Sequence, residues 1–456
     1  MVSAVARVGF QPHRLRLTAA AFVAALVVAG VASVARAQQP GGAGQTGGDG
    51  SDGDDGDDGN GYTPPAGLTP PLQLNGYIDV GFAKAQGDGT SFAAGDTRLP
   101  ADYAVDPFAP AVNSRGDVAS NDPGGRLTNG FLPRSVGIGG RPSFLINTVN
   151  FDLKYTAPGT PLLIFTRLQI LPRFSSSGDQ TRPYLEQAFG RFIPFDSQEL
   201  AISVGKFDSV FGIEYLENQA NLRTGITPSL MARYTTGTST GAKVFYRMQL
   251  PALWSAVSLH VAATNSGNFV EALQSPDASL TGVPVLSGRL GYELNRPEVQ
   301  VKLGASGLYG PRNDQNQRDA HQRVVGGDAR IALHGLYVSG EYIRVKEEEG
   351  GPKTTGMGAL PISSGFEARA FYAQAAYAIP VDLGPWHKLT LYGRYDWRHA
   401  WFAGFTPITV DRITAGLRID VWDAVILKGE LLVNRELAGA PTVANNVWTL
   451  SLVYSW

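Results

Sequence analysis

The chain has 456 residues, of which 43% are hydrophobic and 10% aromatic, and a formal net charge of -2 at pH 7. It contains 55 Gly, 29 Pro and no Cys, which excludes disulfide scaffolds, thiol catalysis and cysteine zinc sites. The mean hydropathy of -0.08 is too polar for a helical membrane protein, and the balanced charge gives no basic field of the kind that nucleic-acid-binding proteins present.

Residues 1–37 have the pattern of a secretory signal peptide. Three arginines come before an apolar run over residues 17–35, and Ala35 and Ala37 form the small-residue ending at which such a segment is cleaved. The alternative is a transmembrane anchor, since the run approaches the ~20 residues that span a bilayer. The cleavage pattern favours export, so we expect the mature chain to lie outside the cytoplasm.

The next segment, residues 38–71, is rich in Gly, Pro and Asp and carries six Asp without a basic residue. Its apolar surface is too small to offset the entropy of ordering the backbone, so the composition predicts a disordered periplasmic tether. Clustered carboxylates also suit a hard cation, which leaves calcium capture as an alternative. The spacing does not match an EF-hand loop.

From Leu72 onward the dominant pattern is alternation of apolar and polar residues with period two, which is typical of strands with one apolar face. In the last strand, for example, Trp448, Leu450 and Tyr454 share a face. The pattern predicts sixteen strands, at 72–84, 144–156, 161–172, 183–194, 199–207, 238–249, 256–265, 286–295, 297–309, 327–334, 337–346, 367–378, 388–399, 409–420, 424–434 and 446–456. Two strands have ambiguous faces, because Arg191 falls in register with Phe189 and Arg369 with Phe371.

Short and long connections alternate between these strands, which is typical of transmembrane barrels with short periplasmic turns and longer outer loops. The sequence therefore predicts an all-β fold in which residues 72–456 form a single 16-stranded antiparallel transmembrane β-barrel in the lipid of a Gram-negative outer membrane. The last strand ends at Trp456, and we expect it to engage the barrel-assembly machinery. A secreted β-sandwich or propeller is the soluble alternative, with its apolar faces inward.

Barrels of sixteen strands leave an aqueous channel unless something plugs it. If the apolar faces meet lipid, thirteen basic and ten acidic side chains face the lumen, an excess that would favour anions weakly. Pairs such as Arg418 with Glu430 and Arg394 with Asp420 would instead neutralise one another. The basic candidates are Lys154, Arg167, Lys243, Arg247, Arg289, Lys302, Arg330, Lys388, Arg394, Arg398, Arg412, Arg418 and Lys428, and the acidic ones are Asp79, Asp152, Glu199, Glu293, Glu298, Asp328, Glu341, Asp396, Asp420 and Glu430.

The connection at residues 208–237 is a long mixture of ordering and charged residues, and loops of this length inside compact proteins are usually functional or disordered. We predict that it folds into the lumen and forms a constriction in which Arg223 and Arg233 face Glu214 or Glu217. Its candidate residues are Phe211, Gly212, Glu214, Glu217, Asn221, Arg223 and Arg233.

At this loop the chain resembles the phosphate-selective porin O and P family of Gram-negative outer membranes. The resemblance lies in Gly205-Lys206-Phe207, then Phe211-Gly212-Ile213-Glu214, the Gly-rich return Thr240-Gly241-Ala242, and the strand cores Gly288-Arg289-Leu290-Gly291-Tyr292 and Gly340-Glu341-Tyr342. It implies a porin, assembled as a homotrimer, that admits small solutes passively. The sequence lacks the dense basic ladder that phosphate selectivity requires, so it does not predict phosphate as the solute.

Two other function classes compete with a channel. A plugged barrel acting as an adhesin or specific transporter would use the long connection at residues 85–143 as a plug or an interaction surface. An outer-membrane hydrolase would need a nucleophile beside a base, but Ser258 and His260 lie two residues apart on one strand, roughly 7 Å, too far for a hydrogen bond. No metal-ligand spacing or phosphate-binding Gly loop is found in the sequence, so no cofactor and no enzymatic activity are expected.

Overall fold

The structure is a computed structural model that describes residues 71–85, 118–119, 131–132, 143–170, 183–195, 198–208, 210–217, 219–235, 237–265, 283–311, 321–348, 366–402, 407–422, 424–438 and 446–456. All of them belong to the compact unit Asp49–Trp456. The predicted signal peptide, the tether with its calcium alternative and most of the connection at residues 85–143 lie outside the described residues.

Sixteen antiparallel strands form one closed barrel. Their bounds are β1 (Leu72–Ala85), β4 (Ser143–Thr156), β5 (Leu162–Ile170), β6 (Tyr184–Phe192), β7 (Leu200–Asp208), β8 (Thr238–Leu250), β9 (Ser255–Thr264), β10 (Val285–Asn295), β11 (Gln300–Pro311), β12 (His321–Leu333), β13 (Leu336–Glu347), β14 (Phe366–Leu383), β15 (Trp386–Phe402), β16 (Ile408–Val421), β17 (Val425–Ala438) and β18 (Val447–Ser455). In the first outer connection β2 (Val118–Ala119) pairs with β3 (Phe131–Leu132).

The barrel closes where β1 pairs antiparallel with β18, and every other pair joins strands that are neighbours in the barrel sequence. At the closing seam the Gly76 amide donates to the Trp456 carbonyl at 3.2 Å, and the Trp456 amide donates to the Gly76 carbonyl at 3.1 Å. Closure gives every strand two hydrogen-bonded neighbours, which hydrocarbon demands of any spanning sheet. The prediction of a closed 16-stranded antiparallel barrel is confirmed.

The predicted apolar faces point outward. Leu417, Leu450 and Tyr454 are 39%, 48% and 48% exposed, whereas the alternate residues of the same strands, such as Thr414 and Thr449, are buried. An outward apolar surface on an even-stranded barrel is the lipid-facing band of an outer-membrane protein. The protein is therefore an integral outer-membrane barrel, as predicted, and not a soluble sandwich.

Short turns join the strands at the rim that also carries the start of β1 and the end of β18, here called the periplasmic rim. One of these turns contains a 3-10 helix, Pro251–Leu253; a second 3-10 helix, Glu214–Glu217, and a short α-helix, Ala232–Thr235, lie in the connection between β7 and β8. Among the described residues, no helix is long and apolar enough to cross a bilayer.

Some predicted strand boundaries are wrong. β12 begins at His321 rather than at residue 327, because its pairing with β13 continues through Gly326 and Gly327 to Gln322 opposite Glu347. β11 begins at Gln300 rather than at residue 297, after a turn in which Arg296 and Val299 exchange backbone hydrogen bonds. Glycine and turn residues therefore misplaced the ends, while strand number and order are as predicted.

The two ambiguous strands have opposite faces. On β6, Gln187, Phe189 and Arg191 all point inward and are buried, so one inward face mixes aromatic and polar side chains. On β14, Arg369 is exposed and shares the outward face with Phe371, because Ala368 and Ala370 between them are buried inside.

Candidate pore and constriction loop

The connection between β7 and β8 lies inside the barrel. We call its described residues, 210–217 and 219–235, the lumen loop. Its apolar side chains are almost completely covered: Phe211 is 4% exposed and Met231 0%. A solvent-exposed tip would leave these groups in water, so the loop takes its structure from the inner wall of the barrel.

The first half of that inner wall is an apolar seat. Phe211, Met231 and Tyr234 of the loop pack in one cluster with inward-facing residues of β10 to β16, which are Val285, Leu308, Val324, Ile343, Val345, Ala368, Ala370, Tyr372, Ala400 and Val410. The inward faces are therefore not uniformly polar, in contrast to the sequence-based assignment of all apolar faces to lipid. Burial of such side chains contributes about 1.5–3 kcal/mol each, which gives the loop a strong nonpolar anchor.

Cations of β15 and β16 bind the loop backbone. The Arg394 guanidinium donates to the carbonyls of Thr227 and Pro228, both at 2.9 Å, and Arg412 also donates to the Pro228 carbonyl. Arg418 donates to the Arg223 carbonyl at 3.1 Å. These cations were predicted from strand parity to face the lumen, and they spend their donors on loop carbonyls.

β17 holds the loop with one cation and one anion. The Lys428 ammonium donates to the carbonyls of Ala220 and Arg223 at 2.5 Å and of Gly225 at 3.0 Å. The Glu430 carboxylate accepts from the Ile226 amide at 2.7 Å and also from the Tyr392 hydroxyl. Lys428 and Glu430 thus satisfy loop carbonyls and amides from adjacent inward positions.

The loop also reaches other walls of the barrel. The Ala220 amide donates to the Tyr77 hydroxyl of β1 at 3.3 Å, and the Gly212 amide donates to the Ser306 hydroxyl of β11 at 3.1 Å. Glu217 forms an ion pair with Arg330 of β12. Contacts with β1, β11, β12, β15, β16 and β17 mean that the loop extends across the lumen.

Glu214 braces the loop internally. Its carboxylate accepts from the Ser229 amide at 2.6 Å and from the Ser229 hydroxyl at 2.5 Å. Burial raises the pKa of Glu214, while the charge of Arg394 and the two Ser229 hydrogen bonds act in the opposite direction. The structure pairs Glu214 with Ser229 and Glu217 with Arg330, where the sequence suggested Arg223 or Arg233 as partners.

Of the remaining loop candidates, Arg223 is buried at 5% exposure and offers its carbonyl to Arg418 and Lys428. Asn221 is half-buried. The side chain of Arg233 lies outside the described residues, although its backbone forms part of the Ala232–Thr235 helix.

Other predicted lumen charges pair along or across the wall. Arg167 forms a two-bond pair with Asp152 at 2.7 and 2.8 Å, and Arg289 forms one with Asp328. Lys154, Lys243 and Arg398 are buried, and Glu341 accepts from Tyr372 at 2.9 Å. Glu199 and Glu298 lie in periplasmic turns rather than on strands.

The two ion pairs predicted across strands are wrong. Arg394 pairs with Asp396 at 3.0 Å and Arg418 with Asp420 at 2.7 Å, in each case two residues along the same strand face. The register explains this result, because it sets Arg418 opposite Lys428 rather than opposite Glu430.

Five predicted lumen cations keep more than a tenth of their side chain exposed: Arg247, Lys302, Arg330, Lys388 and Arg418, between 11% and 46%. All five lie in the halves of their strands next to the periplasmic rim. Among the described residues, three carboxylates pair with them, namely Glu293, Glu217 and Asp420. We call these eight residues the vestibule cluster.

Several contacts were missed by sequence reasoning. Tyr77, Ser306 and Tyr392 were not candidates, although each hydrogen-bonds the loop or its anchor. Their inward parity was visible in the sequence, but a hydroxyl on an inward face carries no indication of its partner.

Ser258 and His260 both lie on the inward face of β9 and are buried. The His260 ring packs against Phe245, with ring centroids 4.8 Å apart. Among the described residues, no group of three or more His, Cys, Asp or Glu side chains is arranged to hold a metal ion.

No protein-family model and no curated protein sequence matches the chain. Its barrel is similar to three solved structures, each at low identity. The outer membrane channel DcaP of Acinetobacter baumannii is 13% identical, with 86% of this chain and 100% of that chain covered and a TM-score of 0.48. An anion-selective porin from Comamonas acidovorans (9%, 84% and 99%, TM-score 0.46) and the trimer form of OmpT from Vibrio cholerae (10%, 84% and 99%, TM-score 0.46) are similar to a like degree.

Proposed function

We propose that this protein is a porin: a narrow, water-filled channel for the passive diffusion of small hydrophilic solutes and ions across a Gram-negative outer membrane. The observation that carries the proposal is the lumen loop, which is fixed inside a 16-stranded barrel by Arg394, Lys428 and Glu430. A barrel of this size is wide enough for water, and an ordered internal loop sets the bore.

The vestibule cluster supports a weak preference for anions. Among the described residues it combines five cations with three carboxylates, so two positive charges remain in excess. The cations bound to loop carbonyls are buried and contribute less to the field that a passing ion meets. This charge count is too small for a steep filter, and it supports no particular anion, phosphate included.

The homotrimer, the engagement of the assembly machinery by the strand ending at Trp456 and the signal peptide remain predictions. Sedimentation of the detergent-solubilised barrel, or native mass spectrometry, would determine the number of chains. The proposal of a channel does not depend on that number, because each barrel encloses its own lumen.

Reconstitution of the full chain in a planar lipid bilayer tests the proposal. We expect discrete conductance steps, and in asymmetric KCl a reversal potential of the sign for modest anion preference. A variant lacking residues 214–230 should conduct more than the wild type, because its lumen has lost the loop. A correctly folded wild type that stays silent while the deletion variant conducts would favour the plugged barrel, and silence of both would refute a channel.

A further inference from the structure

Four cations at the outer ends of β12, β13 and β14 point away from the lumen. Arg323, Arg344 and Arg369 are 54%, 47% and 48% exposed, and Lys346 is exposed as well. Their strand neighbours that point inward, such as Val345, are completely buried. We call these four residues the outer-rim basic patch; it plays no part in lining the pore.

The register sets these charges face to face. Arg323 lies directly opposite Lys346, and Arg344 lies directly opposite Arg369. Directly opposed side chains have Cβ atoms about 4.5–5.5 Å apart, and like charges in that position destabilise a sheet. The strand pairing therefore concentrates positive charge on one small area.

Two described carboxylates compensate only part of that charge. Glu348 accepts from Arg323 at 2.5 Å, and this hydrogen bond lowers the pKa of Glu348. Glu367 is shared by Arg344 at 3.0 Å and Arg369 at 2.9 Å. Among the described residues, four cations and two anions leave a net charge of +2 on the outward surface.

Aromatic side chains fix the depth of the patch in the membrane. Tyr342, Phe371 and Trp397 lie opposite one another in a row across β13, β14 and β15, and the rings of Phe371 and Trp397 are 5.7 Å apart. Aromatic girdles mark the edges of the apolar band of an outer-membrane barrel. The row immediately beyond it, away from the periplasmic rim, contains Arg344 and Arg369, which places the patch at the level of the outer-leaflet headgroups.

We propose that the outer-rim basic patch binds the phosphate groups of lipid A, the phosphorylated glycolipid anchor of lipopolysaccharide in the outer leaflet. Guanidinium groups recognise phosphate with paired hydrogen bonds, and basic clusters next to the hydrocarbon boundary bind anionic headgroups. The acyl chains of the same lipid would lie against the apolar band below. A net charge of +2 complements a headgroup that carries two phosphates.

Binding of purified lipid A to the full-length barrel in detergent tests this proposal. The test variant is R344Q/K346Q/R369Q, with R369Q alone as a milder version. The matched control is Arg435→Gln, since Arg435 also points outward but is already neutralised by Asp411 in two hydrogen bonds of 2.7 and 2.5 Å. Native mass spectrometry would measure lipid retention, and heat-modifiable gel mobility together with unchanged single-channel conductance would verify that each variant is folded.

We expect the triple variant to bind bis-phosphorylated lipid A at least about tenfold more weakly than the wild type, since each basic residue near a lipid surface contributes roughly 1 kcal/mol. R369Q should show a smaller loss, and R435Q should bind within about twofold of the wild type, since its charge is already paired. Dephosphorylated lipid A should bind the wild type as weakly as the triple variant binds the phosphorylated form.

Equal retention of lipid A by the wild type and the triple variant would overturn the proposal. Equal binding of phosphorylated and dephosphorylated lipid A would also overturn it, because acyl chains alone would then explain the affinity. Displacement of lipid A by an equal concentration of inorganic phosphate would indicate a site for a soluble anion instead. None of these outcomes affects the proposed channel, which conductance tests separately.

Discussion

Thr227, near the middle of the lumen loop, donates both its backbone amide, at 3.0 Å, and its hydroxyl, at 2.8 Å, to the same carboxylate oxygen of Glu430 on β17. The other oxygen of Glu430 accepts from the Ile226 amide. One buried anion therefore satisfies two successive amides of the loop, and no neutral side chain of the same shape can do so.

Glu430→Gln should loosen the middle of the loop. The amide nitrogen of glutamine would face a donor in place of an acceptor, and hydrogen bonds to a charged group contribute about 1.5–3 kcal/mol. We expect a higher mean conductance and more open-channel noise, measured in single-channel recordings. Asp411→Asn is the control, since Asp411 lies on the outward face with Arg435 and does not touch the loop. Identical recordings for wild type and Glu430→Gln would contradict this role.

Gly212→Ala should destabilise the loop more than an equivalent change elsewhere. Gly212 has a φ of +73°, and a Cβ there would collide with the Glu341 carboxylate. Gly159, in a periplasmic turn, has a φ of +67° and nothing within 4 Å of the added atom, so Gly159→Ala measures the backbone cost alone. That cost is about 1–2 kcal/mol, and we expect Gly212→Ala to exceed it in urea unfolding of the folded barrel. Equal losses would mean that Glu341 yields at no cost.

Period-two alternation carried the fold prediction, because each spanning strand must show lipid one face, as Leu417 and Leu450 do. The partners in the lumen could not be predicted in the same way. Parity assigns Lys428 to the inward face, yet its acceptors are backbone carbonyls about two hundred positions earlier in the chain, where every residue type offers the same oxygen. Ile343 and Val345 also defied the polar-inside rule, because their water is displaced by Met231 and Phe211 of the loop.

Neutralising vestibule cations should weaken anion preference. In R247Q/K302Q the pair loses two positive charges while Glu293, which lies 2.5 Å from Arg247 and 4.0 Å from Lys302, keeps its negative charge. We expect the anion-over-cation permeability ratio to fall about twofold or to invert, because charges lining a pore set its selectivity. Reversal potentials in asymmetric KCl measure this ratio. Arg435→Gln, on the outward face, should leave it unchanged, and a matching shift in that control would exclude a local effect.

Glu214 should make the stability of the barrel depend on pH. Burial raises its pKa, so the folded state holds this proton more tightly than the unfolded chain does. Above the folded pKa the buried carboxylate therefore costs stability, and that cost is relieved as the pH falls through the folded pKa toward the ordinary value of 4.5. The groups that face it are Arg394, whose charge favours the carboxylate, and Asp396 and Glu341, whose charges oppose it.

Glu214→Gln isolates this contribution, because every other titrating group is common to both proteins. We expect the free energy of unfolding of the wild type to fall relative to that of the variant as the pH rises from 4.5, and the two curves to run parallel once Glu214 is ionised in both states of the wild type. Urea titrations of the barrel in lipid vesicles at a series of pH values measure the difference. A constant difference from acid to neutral pH would show that Glu214 titrates alike in the folded and unfolded chains, and that burial leaves its proton affinity unchanged.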